Sequence, residues 1–333
     1  MRAKSLESPY PWYGGKRRVA ELVWRRLGNW PHYVEPFFGS GAVLLGRPVQ
    51  HRRADLGWPT ETVNDLDGFV SNAWRAMQRD PAGCTEWADQ PVHETDLHAR
   101  HLYLRERRQD LTARLMADPE YFDVRIAGWW LWGQSIWCCG CGWCGVDGIG
   151  PWGVVDGKFV KVGPSKGVVR ARPHLGGAGE GVASRRPVGP WFAALAERMR
   201  RVRVLNGDWG RALEQSATVN VGPSAIFLDP PYTTEADRHL GCYAVEDGAI
   251  AHQVREWCAE NGTDARYRIA LCGYEGEHDV LEALGWDVVV WKTGGGYANQ
   301  GTNTQGLINA KRERIWFSPA CLPAELAQGV LFD

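Results

Sequence analysis

The stretch "AIFLDPPYTT", residues 225 to 234, constrains the fold more than any other part of the chain. Its apolar run reads as a core strand, and two adjacent prolines follow it. Proline has no N–H to give to a sheet ladder, so Pro230 and Pro231 end the strand at Asp229. A core strand thus finishes on an acid, two rigid residues and a tyrosine.

The same rhythm recurs along the chain. "HYVEPF" (32–37) is a short apolar, aromatic run that stops at the glycine-rich "FGSG", with an apolar stretch behind it, the pattern of strand, tight turn and helix. "TETVND" (60–65) reads as a second strand. "DGFVSNAWRAMQRDP" reads as a helix with Asp67 as N-cap, Phe69, Val70, Ala73, Trp74 and Met77 on one face, and Asp80-Pro81 as the stop. Further strands are expected at "RVRVLNGDW", "SAIFLDPP", "YRIALCG", "WDVVVWK" and "ERIWFS". Helices are expected at about 247–260, capped by Asp247 and closed near Gly262, and at "DVLEALG". Strands alternating with helices predict an α/β protein with a parallel sheet, closed by an antiparallel pair at its end. Residues 82–190 break this rhythm. They hold a charged helical stretch ("LHARHLYLRERRQDLTARLM"), a Trp/Cys/Gly-rich core and a Gly/Pro/Arg-rich segment, and read as an insertion.

At 333 residues the chain can bury a sizeable core, and 44% hydrophobic with 23% charged residues is ordinary for a globular protein. Eighteen tryptophans are far more than usual. Buried indoles account for most, with stacking on bases or a cofactor open to a few. The N-terminal stretch lacks the apolar run of a signal peptide and no segment approaches a membrane span, so a reducing cytoplasm is expected, with the nine cysteines as thiols or metal ligands. The net charge of −1 hides an asymmetry: eleven Lys/Arg stand against two acids between Lys158 and Arg203, and twelve acids against four arginines between Asp229 and Glu282. A solvated face explains such runs, and a basic block also suits a phosphate backbone.

Three features carry chemistry. Gly39 and Gly41, in a turn between strand and helix, let backbone amides approach a ligand at a helix N-terminus. Asp65 ends the next strand, where an acid in a dinucleotide-type fold accepts from a ribose; a helix cap is the alternative. In the "DPPY" turn, Asp229 and the Pro230 carbonyl offer two fixed acceptors, which suit the two hydrogens of an exocyclic amine, and Tyr232 offers a ring for a planar base. An aromatic amine is a poor nucleophile because its lone pair is delocalised. Two acceptors can draw the nitrogen toward tetrahedral geometry and expose that pair.

The ordered set "PWYGGK", "EPFFGSGAV", "VND", "NGDW" and "FLDPPY" resembles the Dam-type (class alpha) N6-adenine DNA methyltransferases, over about 1–80 and 200–320. The tail "GGGYANQG…NAKRERIWFSP" is similar to their bacteriophage-borne branch. The resemblance implies a Rossmann-like S-adenosylmethionine-dependent methyltransferase sheet interrupted by a target-recognition domain: 1–81 and 191–320 catalytic, 82–190 inserted, 321–333 a tail. It implies that Trp12 and Lys16 belong to the N-terminal cofactor motif, that Phe37, Gly39, Ser40 and Gly41 form the methionine loop, and that Asp65 takes the ribose. Asp208 and Trp209 would lie at the cofactor's adenine, and Asp229, Pro230, Pro231 and Tyr232 would form the catalytic pocket. Residues 85–190 do not follow the recognition domain of the well-known GATC enzymes. Double-stranded DNA is the implied substrate, its adenine flipped out at a cost of a few kcal/mol, with stacking on Tyr232 returning about 1–3 kcal/mol. Within the basic block, Arg170, Arg172, Arg185 and Arg186 are the expected phosphate contacts.

Other readings stay open on the sequence. A cytosine-N4 enzyme methylates the same kind of amine, although Asp at the head of the motif favours adenine. A protein-glutamine or RNA-guanine methyltransferase can share the turn, but would not be expected to carry "PWYGGK" or a long basic insertion. A catalytically silent DNA-binding protein is the reading from another class. Cys138, Cys141 and Cys144 are spaced C-x2-C-x2-C beside Cys139, which fits either a metal or a packed Gly/Trp/Cys turn; lacking a fourth ligand at the expected spacing, the packed turn is favoured and no metal is expected. At the end of the chain, Gln328, Leu331 and Phe332 are similar to a Q-x-x-L-F peptide that docks on the replication sliding clamp. The alternative is that Leu331 and Phe332 fold back on the enzyme itself.

Overall fold

Strand residues that alternate between two buried faces need a layer of helices on each side. The run at 224–228 does this: Ala225 and Phe227 pack into one apolar cluster, Ile226 and Leu228 into a second on the opposite face. The computed structural model describes residues 6–10, 12, 15–48, 60–136, 143–144, 152–155, 158–161, 187–220, 222–232, 249–291 and 312–324. Among them a seven-stranded sheet is built from β1 (His32–Glu35), β2 (Thr60–Asp65), β3 (Val202–Asn206), β4 (Ser224–Leu228), β5 (Tyr267–Tyr274), β6 (Asp287–Val290) and β7 (Glu313–Phe317). Its order is β3-β2-β1-β4-β5-β7-β6. The first five strands are parallel, and β7 runs antiparallel to both β5 and β6. This mixed α/β sheet is compatible with the expected Rossmann-like methyltransferase fold, and the antiparallel pair closes it as its sequence predicts.

The helices are α1 (Ala20–Leu27), α2 (Ala42–Leu45), α3 (Gly68–Arg79), α4 (Pro81–Ala88), α5 (Glu94–Ala117), α6 (Val124–Ile136), α7 (Val188–Met199), α8 (Gly210–Leu213) and α9 (Ala249–Asn261). α8 and α9 cover one face of the sheet through Ala212, Leu213, Val254 and Cys258. On the other face α1, α3 and α7 share one apolar cluster with residues of α4, α5 and α6. Asp67 caps α3, its Oδ1 accepting from the Phe69 N–H at 2.9 Å, and the expected apolar face is buried. Asp80 ends α3 as predicted. It also caps α4, accepting from the Gly83 N–H at 2.8 Å, with Pro81 in the first turn. Proline there removes an N–H that has no helical partner, so the same dipeptide stops one helix and starts another.

Other elements depart from the expectation. "DVLEALG" forms a 3-10 helix, Asp279–Leu284, closed by left-handed Gly285. The Gly/Pro/Arg-rich segment contains a hairpin, Trp152–Val155 against Lys158–Lys161. The Trp-rich stretch is helix α6 as far as Ile136, with Trp130 and Trp132 almost wholly buried. α9 begins at Ala249; its expected cap, Asp247, lies outside the described residues. Among the described residues no helix is long and apolar enough to cross a membrane.

Candidate active site

In an open parallel sheet, ligands bind outside the carboxyl ends of the strands where the strand order reverses. Here that point lies between β1 and β4, neighbours whose chains continue to opposite sides of the sheet. The turn after β1 carries Gly39 and Gly41, and the turn after β4 carries Asp229 to Tyr232. A cleft of about 980 Å³, its open mouth included, lies between them.

Gly39 and Gly41 have φ of +46° and +68°, conformations that a side chain disfavours. Space forbids one as well: a Cβ on Gly39 would come within 2.6 Å of the Trp12 indole nitrogen, and one on Gly41 within 2.7 Å of Phe38. The Gly39 carbonyl accepts from the Tyr10 hydroxyl at 2.6 Å and the Trp74 indole at 3.2 Å. The Gly39 N–H donates to Asp65 Oδ2 at 2.8 Å, and the Asp67 N–H to Asp65 Oδ1 at 2.9 Å. Asp65 therefore fastens the glycine loop from β2. Burial raises its carboxyl to about 7, against the pull of those backbone donors. On the far wall Phe37 and Trp209 stack with centroids 6.1 Å apart, and Asp208 accepts from the Gly210 N–H.

Asp229 sits at the other end of the cleft. Its Oδ1 takes the Lys16 ammonium at 2.9 Å and the Tyr232 hydroxyl at 3.2 Å. Among the described residues the bonds to this carboxylate all fall on Oδ1, so Oδ2 is left to accept from whatever enters. Lys16 is buried despite its charge, and its nitrogen lies 5.3 Å from the Tyr232 ring centroid and 5.8 Å from that of Trp291, within cation–π reach. The Tyr232 hydroxyl also contacts Glu313 Oε2 at 3.0 Å, and its ring meets Tyr274 edge-on.

The structure thus brings together Trp12, Lys16, Phe37, Gly39, Ser40, Asp65, Asp208, Trp209, Asp229 and Pro231 as cleft lining. Gly41, Pro230 and Tyr232 adjoin that lining in the chain and are buried, Tyr232 only 8% exposed. Sequence reasoning missed two buried acids. Glu35 ends β1, accepts from the Tyr33 hydroxyl at 2.8 Å, and burial holds its carboxyl well above the usual range. The signal was available, since like Asp65 it is an acid closing a strand before a turn. Glu313 lies on β7, raised by burial, and its segment offered no such signal.

No protein-family model matches the chain. A stretch of 78 residues is 30% identical to the "DNA N-6-adenine-methyltransferase" of Escherichia phage P1, covering 23% of this chain and 9% of that protein. The likeness is to a methyltransferase.

Arg170, Arg172, Arg185 and Arg186 lie outside the described residues, as do Cys138, Cys139, Cys141 and the tail with Gln328, Leu331 and Phe332. Cys144 is described. It is buried, with a left-handed φ of 58°, and its N–H meets His101 Nδ1 at 3.3 Å. Among the described residues no group of three or more metal-ligating side chains converges.

Proposed function

We propose that the chain is a DNA adenine-N6 methyltransferase that uses S-adenosylmethionine. The observation that carries this reading is the meeting, at one reversal point of the sheet, of a left-handed glycine loop and a turn that presents a fixed carboxylate. The partial likeness to a phage adenine methyltransferase supports the same chemistry.

The cleft fits the cofactor. The glycine turn lines it through Gly39 and Ser40, Phe37 and Trp209 offer aromatic faces, and Asp65 and Asp67 offer acceptors at the end of β2. When bound, the cofactor supplies an electrophilic methyl group on a sulfonium. The remaining work falls to the chain. Asp229 Oδ2 accepts one hydrogen of the exocyclic amine, and the Pro230 carbonyl accepts the other. Together they turn the lone pair out of conjugation, and once methylated the nitrogen passes its extra proton to Asp229 Oδ2, from which it leaves to water. Lys16 and Tyr232 hold Oδ1, so the carboxylate cannot swing away. For a duplex base to reach this depth it has to leave the stack, and residues 82–190 with their basic block are proposed to grip the DNA. The proposed setting is the cytoplasm.

Mass spectrometry of nucleosides from DNA treated with the protein and S-adenosylmethionine tests the reading. N6-methyladenine is the expected product. N4-methylcytosine as the main product, or no modified base, overturns it.

A further inference from the structure

The Tyr232 hydroxyl stands between two carboxylates, Glu313 Oε2 at 3.0 Å and Asp229 Oδ1 at 3.2 Å. A phenol has one hydrogen, so it cannot donate to both. If both acids were ionised, one contact would set oxygen lone pairs against each other. Both contacts are attractive only when one of the acids carries a proton and donates to the phenol oxygen. Asp229 is the acid that holds the Lys16 ammonium at 2.9 Å, and an ion pair needs the anion. That leaves Glu313.

We propose that Glu313 is a positioning residue that works as a neutral acid: it donates to the Tyr232 oxygen and so turns the single Tyr232 hydrogen on to Asp229. The chain of donors then runs one way, from Glu313 through Tyr232 to Asp229 Oδ1, with Lys16 on the same oxygen. Oδ1 is saturated, and Oδ2 is the acceptor left for an incoming amine.

The surroundings agree. Glu313 is buried on β7, and the groups facing it are Lys16 before α1, Asp229 and Tyr232 after β4, Cys272 and Tyr274 on β5, and Glu277 in the turn beyond. Burial is the largest influence and raises its carboxyl; Asp229 and Glu277 raise it further, while Lys16 and the Tyr232 hydroxyl oppose. The site therefore holds its proton to a higher pH than an exposed glutamate would. Raising the pH through its titration puts a second negative charge against the phenol and draws the hydrogen away from Asp229.

Infrared difference spectra of the resting protein test the proton directly. Subtracting the Glu313→Gln spectrum from that of the wild type at neutral pH is expected to leave one protonated-carboxyl band, those of Glu35 and Asp65 cancelling, and Tyr232→Phe should shift it. A difference spectrum without that band overturns the proposal. This readout does not involve methyl transfer, so it stands apart from the functional reading on which the second test rests. In that test Glu313→Ala lowers kcat about tenfold, equivalent to about 1.4 kcal/mol, with KM for the cofactor unchanged. Glu313→Gln recovers most of the loss, because its amide N–H can donate to the same oxygen. Its rate should also stay level on the alkaline side, where that of the wild type falls. Equal loss in Gln and Ala variants, or parallel alkaline limbs, overturns the role.

Discussion

Asp229 presents two oxygens with different duties, one tied down by Lys16 and Tyr232 and one left to the cleft. Under the proposed function the acid holds the amine, so Asp229→Ala is expected to abolish methyl transfer while cofactor binding survives; calorimetric titration beside a transfer assay checks both. Asp65 behaves differently because it serves the fold. Unfolded, it ionises near pH 4; folded, near 7. Between those values the folded chain holds more protons than the unfolded one, so stability falls as pH rises and the cost is complete above the upper value. Asp65→Asn should accordingly flatten the fall of the melting temperature between about pH 4 and about 7. It should also cost stability throughout, because its amide nitrogen cannot accept one of the two backbone N–H groups that Asp65 holds. Scanning calorimetry across that range would show both. Both aspartates were legible in the sequence, because a glycine turn or a proline pair announces its meaning within a few residues. Glu313 was not: it meets Tyr232 across 81 residues, and only the sheet order makes them neighbours.

At the scale of elements, the strands were legible wherever apolar runs met acids, prolines or glycines. The helices of the middle region were harder. α6 is apolar on nearly every side, so it lacks the one-sided stripe that marks a surface helix. α7 sits in the basic block, where charge obscures the apolar residues Trp191, Phe192 and Leu195 that it buries. α4 and α6 cross closely at Gly128, where an added Cβ would lie 2.3 Å from the Trp87 Cβ and 2.8 Å from its backbone carbon. Alanine normally favours a helix over glycine by about 1 kcal/mol. Here backbone stands in the way, so Gly128→Ala should destabilise, by about 1–3 kcal/mol as overpacked cores do, measured by urea unfolding. A gain in stability would mean that the two helices can separate freely.

Over the whole molecule, the proposed binding of DNA at a net charge of −1 relies on the uneven distribution of charge along the chain. Removing Arg170, Arg172, Arg185 and Arg186 should weaken DNA binding and flatten its dependence on salt, by about one unit of slope per lost phosphate contact. Titrations at several salt concentrations decide it, and an unchanged slope moves the DNA path elsewhere. The core on the α3 side has a consequence for descent. Leu97, Leu104, Trp130 and Leu131 of α5 and α6 lie in one apolar cluster with Trp24, Phe69 and Trp74 of α1 and α3. A region packed in this way cannot be traded between relatives as a cassette. With residues 82–190 reading the DNA as proposed, new specificities would have to arise by gradual co-adaptation of both sides of that shared core, and chimaeras joined at residue 81 would inherit a mismatched interior.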